Sequence, residues 1–130
     1  MIVDILVTTQ NDQRILIEMQ VQKHESFIER IVAYNARQFG SQIKRGENYD
    51  VLKLRETISL IFTDFSMFSD TDDFSDHILF RRNNGKVFTM AQQFYIIDLT
   101  KLPDDLTCEI SKWGALLKAK TWEELLVVIV

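Results

Sequence analysis

Two carboxylates and an amide, Asp4, Glu18 and Gln20, stand near the start of this 130-residue chain among residues that are mostly aliphatic. Asp4 is embedded in VDILV and Glu18 in ILIEMQVQ, each flanked by β-branched or large apolar side chains. Carboxylate oxygens suit hard divalent cations, and Mg²⁺ needs only one or two of them beside water and phosphate. If Asp4 and Glu18 converge, they make a divalent-metal site, with Gln20 at hand to orient a water by hydrogen bonding. Spacing alone leaves a second reading open, in which both acids are solvated groups on an exposed strand face.

Convergence depends on a hairpin. Ile15, Ile17, Met19 and Val21 alternate with Leu16, Glu18, Gln20 and Gln22, the period of two of a β-strand, so one face is apolar and the other carries the polar row. Asn11-Asp12-Gln13 supplies turn chemistry between this strand and the first, so the two pair antiparallel and bring Asp4 near Glu18.

Asp, thirteen intervening residues, then Glu-x-Gln at the end of a hydrophobic strand resembles the active-site hairpin of the PD-(D/E)XK nuclease superfamily. The segments VDILV and ILIEMQVQ, followed by RIVAYNARQF, resemble more narrowly the bacterial PD-(D/E)XK family transposases, related to the recombination-promoting nucleases. The similarity runs from Asp4 to about Lys120, nearly the whole chain. It implies an α/β, restriction-endonuclease-like fold, a mixed central sheet flanked by helices. It also implies a metal-dependent endonuclease that hydrolyses phosphodiesters in double-stranded DNA. Asp4 and Glu18 would be the Mg²⁺ or Mn²⁺ ligands, joined by the backbone carbonyl of Met19. Gln20 would take the position where the usual motif has Lys; it orients water but supplies neither charge nor an acidic proton. Arg30, Tyr34 and Arg37, three to four residues apart on the following helix, would face a DNA phosphate, although a solvated helix face accounts for both arginines and a core edge for Tyr34.

In the resembled superfamily a helix precedes the hairpin and can contribute another acid, whereas here only three residues precede Asp4. The expectation is therefore one nuclease-like domain over residues 1–130, truncated at its N-terminus. A competing class is a catalytically inactive remnant or interaction module that keeps the fold, with self-association as a homodimer through apolar surface at the truncated sheet end. RNA processing would use the same metal chemistry.

Composition narrows the partners. At 46% hydrophobic and 26% charged the chain can build one core. Its net charge of −4 argues against broad attraction to nucleic acid, so any DNA contact must be local. One cysteine, Cys108, excludes an internal disulfide and a cysteine zinc site, and fits a reducing compartment. The longest apolar run, Leu125 to Val130, is too short for a membrane span, and no signal-peptide pattern opens the chain. The expected location is the cytoplasm.

The remaining elements follow in order. Ser26 with Glu29 has capping-box spacing and opens a helix that buries Phe27, Ile28, Ile31, Val32, Phe39 and Ile43 and stops at Gly46. Asn48 to Leu54 is ambiguous. Thr57 to Phe62 reads as a central strand buried on both faces. Thr63 to Asp76, rich in aspartate, reads as a solvated loop, for it lacks the glycine and terminal glutamate of a calcium loop. His77 to Arg82 and Val87 to Met90 form a hairpin around Asn83-Asn84-Gly85-Lys86, and Phe94 to Leu99 is a further strand stopped at Leu102-Pro103. Thr107 to Lys118 and the segment from Thr121 form C-terminal elements, with Trp113 and Trp122 packing on the core. Gln22, His24 and His77 are read as surface or capping residues, since neither histidine has a metal-ligand partner in sequence.

Overall fold

The computed structural model describes residues 3–10, 13–44, 46 and 53–103. Their architecture is a five-stranded mixed sheet with one long helix on one face, consistent with the α/β restriction-endonuclease-like fold. Strands β1 (Val3–Thr8), β2 (Arg14–Gln20), β3 (Thr57–Thr63), β4 (Ser75–Arg81) and β5 (Val87–Asp98) lie in the order β1-β2-β3-β5-β4. β1 pairs antiparallel with β2, β2 and β5 flank β3 in parallel, and β4 closes the far edge antiparallel to β5. The parallel β2–β3 pair requires a crossover, and helix α1 (Phe27–Gly40) supplies it.

α1 and the sheet bury a first cluster of Phe27, Ile31, Ile61, Phe94 and Ile96, with Phe65, Met67 and Phe68 against it. Phe27 and Phe65 meet edge to face at 5.6 Å. Strand alternation sends Phe62 and Ile97 to the opposite face, where Leu99, Ile17, Met19, Leu60, Tyr95 and Leu102 complete a second cluster. β3 is thus central and apolar on both faces, as the unbroken run Thr57 to Phe62 suggests.

Several local expectations are corrected. The helix begins after Ser26, but Ser26 lies at φ −101°, ψ 27°, outside the extended region a capping side chain needs, and its hydroxyl makes no cap bond. Its carbonyl instead accepts from Arg30 N–H at 3.1 Å. The helix ends at Gly40 rather than Gly46, and a tertiary contact satisfies its last turn: the Arg14 guanidinium donates to the Gln38 carbonyl at 3.0 Å and to the Ser41 hydroxyl at 2.6 Å. A cation at a helix C-terminus also meets the negative end of the macrodipole. The buried stripe is narrower than expected; Ile28, Val32 and Ile43 are exposed, and the third buried helix position is Asn35.

At the far edge, the two expected strands Val87 to Met90 and Phe94 to Leu99 are one continuous strand, β5. The interruption in its hydrophobic pattern is a register irregularity, for Phe80 pairs with Thr89 while Leu79 pairs with Gln93. Asp76 belongs to β4 rather than to the preceding loop. A 3-10 turn, Leu99–Lys101, follows β5 before Leu102-Pro103; its Asp98 cap accepts from Thr100 N–H at 2.9 Å. The expected turn residues Asn11 and Asp12, the segment 48–52, the helix from Thr107, Trp113, Trp122 and Cys108 lie outside the described residues.

Candidate active site

In the β1–β2 ladder Asp4 is the direct partner of Glu18. The backbone fixes which kind of pair this is. Gln20 accepts from Asp64 N–H at 2.9 Å and Arg14 donates to the Glu56 carbonyl at 3.0 Å, so even-numbered β2 residues direct their backbone groups toward β3. Glu18 shares that parity, which makes Asp4–Glu18 a non-hydrogen-bonded backbone pair, with Cα atoms about 4.5 Å apart. By the same alternation the Met19 carbonyl turns toward β1, the strand that carries Asp4.

Glu18 lies on the face covered by α1, because its neighbour across β3 is Ile61 of the first cluster. It is only 9% exposed. Of the two readings open at the level of spacing, the solvated acid is thus not what Glu18 is. Gln20, across from Thr63, is 3% exposed, whereas Gln22 beyond the strand is exposed as expected. Beside Glu18 opens a cleft of about 180 Å³ lined by Ile5, Leu6, Leu16, Ile17, Tyr34, Gln38 and Ser59. Gln20 is not among the residues that line it.

Of the three helix residues singled out, Tyr34 reaches this cleft. Arg37 places its guanidinium 5.9 Å from the centre of the Tyr34 ring, a cation–π contact at the cleft margin. Arg30, one turn earlier and half-buried, is not part of the lining. Gln38 and Ser59 are brought in by the fold and have no motif of their own. Gln38 follows Tyr34 by one helical turn, and Ser59 pairs with Leu16, one β2 position of the same parity before Glu18.

Asn35 positions these elements. Wholly buried, it donates through Nδ2 to the Ser59 hydroxyl at 2.9 Å and to the Thr57 and Gln93 carbonyls at 3.3 Å, and its Oδ1 accepts from the Gln92 amide at 3.0 Å. The helix carrying Tyr34 and Gln38 is thereby pinned to β3 and β5 at one height. The signal in the sequence is a single amide at i+4 from Ile31 and i+8 from Phe27, in register with the buried stripe.

His24 is exposed, with its carbonyl accepting from Phe27 N–H at 3.2 Å, and His77 stacks on Tyr95 with ring centroids 4.1 Å apart while bonding Gln93 at 2.9 Å. Among the described residues no cluster of three or more His, Cys, Asp or Glu forms. The residues expected to hold a metal at the hairpin, Asp4, Glu18 and the Met19 carbonyl, offer oxygen donors only. Such a set fits Mg²⁺ or Mn²⁺ with water and phosphate completing the shell, and does not suit a thiolate or imidazole metal.

No curated protein and no solved structure matches the chain. The sequence profile of the PD-(D/E)XK nuclease family transposases matches residues 1–126, and the hairpin, crossover helix and mixed sheet agree with it. The chain belongs to the PD-(D/E)XK nuclease transposase family.

Proposed function

We propose that this protein is a metal-dependent endonuclease that hydrolyses phosphodiesters in double-stranded DNA, with Asp4, Glu18 and the Met19 carbonyl as the ligands of Mg²⁺ or Mn²⁺. The observation that carries the reading is the Asp4–Glu18 cross-strand pair, with Glu18 buried beside a cleft. When bound, the cation would supply Lewis-acid polarisation of the scissile phosphate and lower the pKa of the attacking water. The chain's own residues prepare the place. Ile5, Leu6, Leu16 and Ile17 give the cleft apolar walls, which weaken the screening of charge beside them. Tyr34 and Gln38 offer hydrogen-bond donors to phosphate oxygens, and Arg37 and Arg30 add positive charge along the helix. Gln20 stands where the usual motif has Lys, two residues beyond Glu18 on the same face, and its amide can hydrogen-bond a water but cannot give up a proton as an acid. The lone Cys108 suits the reducing cytoplasm.

Nicking of supercoiled plasmid in Mg²⁺ or Mn²⁺ tests this. Wild-type chain nicks, and Asp4→Ala and Glu18→Ala each abolish nicking while leaving the circular dichroism unchanged. Nicking indifferent to both substitutions would exclude these ligands. One observation favours a second reading, an inactive member that retains the fold: Gln20 is buried and does not line the cleft that Glu18 lines. Absence of nicking with every metal, together with absence of Mn²⁺ binding, is the outcome that reading requires.

A further inference from the structure

Charge is unevenly placed on this acidic chain. From His77 to Ile97 there are three cations, Arg81, Arg82 and Lys86, and no acid, whereas Asp64, Asp70, Asp72 and Asp73 fall in the segment between β3 and β4. The topology separates the two groups. β2, β3 and β5 run parallel, so the aspartate segment leaves the C-terminal end of β3 while the β4–β5 hairpin turns beyond its N-terminal end. The first residue of β3, Thr57, pairs with Gln92, so Val87–Ala91 and the end of β4 lie past the rest of the sheet; because Leu79 pairs with Gln93 but Phe80 with Thr89, β5 is bulged there and the paired ribbon projects about 10 Å.

The projection has a fixed tip. Arg82 donates to the Lys86 carbonyl at 2.8 Å and Gly85 to the Arg82 carbonyl at 2.9 Å, while the Arg81 guanidinium donates to the Gly85 carbonyl at 3.0 Å. Gly85 sits at φ 84°, where a residue with a Cβ is strained. Beside the cations, Phe88 is 72% exposed and Phe80 and Met90 are exposed as well. A two-stranded ribbon has the width of a DNA groove, lysine and arginine at its tip hold phosphates, and an apolar ring beside them can lie against or wedge between base steps.

We propose that the β4–β5 hairpin is a duplex-DNA contact separate from the Asp4–Glu18 site, in which Arg81, Arg82 and Lys86 hold phosphates and Phe88 packs into the groove. The identity of the partner rests on the nuclease reading; the place and its chemistry rest on the projecting ribbon. Glu18 is level with Ile96 through Ile61, and Ile96 with Asp76, so counted along β4 to Arg82 the tip lies about 20 Å along the strand direction from the candidate site, about six base-pair steps of duplex. A contact at that distance would hold the duplex in register without lining the cleft, and would give an acidic chain the local attraction its net charge denies it.

The test is binding of the full chain to a fluorescein-labelled 20-base-pair duplex in EDTA, read by anisotropy between 50 and 200 mM salt. If all three cations sit on phosphates, wild-type affinity falls about forty-fold more over that range than that of Arg81→Ser/Arg82→Ser/Lys86→Ser. Phe88→Ser weakens binding without changing the salt slope. Phe88→Ser keeps the wild-type melting midpoint, since its ring is exposed, and so does Arg82→Ser/Lys86→Ser, which spares the Arg81–Gly85 bond and carries about two-thirds of the slope change. Equal slopes for wild type and the triple variant, or no duplex binding by wild type, would overturn the proposal. So would a wild-type dimer that Phe88→Ser dissociates, which would make the hairpin a contact between copies. The two readings fail separately: metal-dependent nicking with unchanged slopes sinks the hairpin contact alone, whereas a hairpin-dependent slope without nicking sinks the nuclease alone.

Discussion

The amide of Asn35 donates to the Ser59 hydroxyl at 2.9 Å across the interface of α1 and β3, with both residues buried. The same side chain spans β3 and β5, so one residue sets how far α1 slides along the sheet and hence where Tyr34 and Gln38 stand relative to Glu18. Buried polar groups that lose a partner cost more than the bond contributes, because the orphaned atoms stay out of water.

Asn35→Ala is therefore expected to destabilise the fold by about 3 kcal/mol, combining a small cavity with the loss of partners at Ser59 and Gln92. Urea denaturation at equilibrium measures it. An effect within about 0.5 kcal/mol of wild type would show that the network is not what holds the helix.

The proposed Asp4–Glu18 ligand pair predicts a stability response to metal. The comparison is of wild type with Glu18→Gln, each melted in EDTA and in Mn²⁺. In Mn²⁺ at about 100 times its Kd, wild type gains roughly 2.7 kcal/mol and the variant does not follow it. Thermal melts with and without Mn²⁺ decide this. Identical Mn²⁺ responses would mean that Glu18 is not a ligand.

Arg14 bonds the last turn of α1, and Arg14→Met keeps the stem while removing the donor. The expected cost is about 1–2 kcal/mol, from charge-assisted bonds and the helix dipole. Amide hydrogen exchange should show it first in residues 37–41, and protection there equal to wild type would assign the helix end to Gly40 and Ser41 alone.

Gly85 meets nothing within 4 Å of where a Cβ would stand, yet its backbone is left-handed. Gly85→Ala should therefore cost about 1 kcal/mol through backbone strain alone, with no steric component. Asn is the better-tolerated replacement there, and a chemical-denaturation series across Gly, Asn and Ala checks the order. Ala equal to Gly would mean that the tip adopts another turn.

Much of this arrangement follows from local chemistry along the chain. The alternation of residues 15–22 suffices to predict a strand with Glu18 and Gln20 on one side, and its partner strand with Asp4 opposite; the uninterrupted run at Thr57 to Phe62 suffices for a central strand. The Asn-Gly turn declares the β4–β5 hairpin. These are properties of neighbours within a few residues, which is why they are legible without a fold.

Tertiary structure decided the rest. Whether the polar face of β2 meets water or protein depends on which side α1 covers, and the crossover places it over Glu18 and Gln20. α1 stops at Gly40, where Arg14, a residue distant in sequence, bonds its last turn, and the Ser26 hydroxyl makes no cap bond. β5 stays one strand because β4 accommodates its irregular register. The cleft joins Ile5, Glu18, Tyr34, Gln38 and Ser59 from three strands and a helix, and no spacing rule links those positions. Short-range pattern determined which residues could do chemistry, whereas long-range packing decided which of them share a cleft, because burial and proximity are properties of the assembled layers.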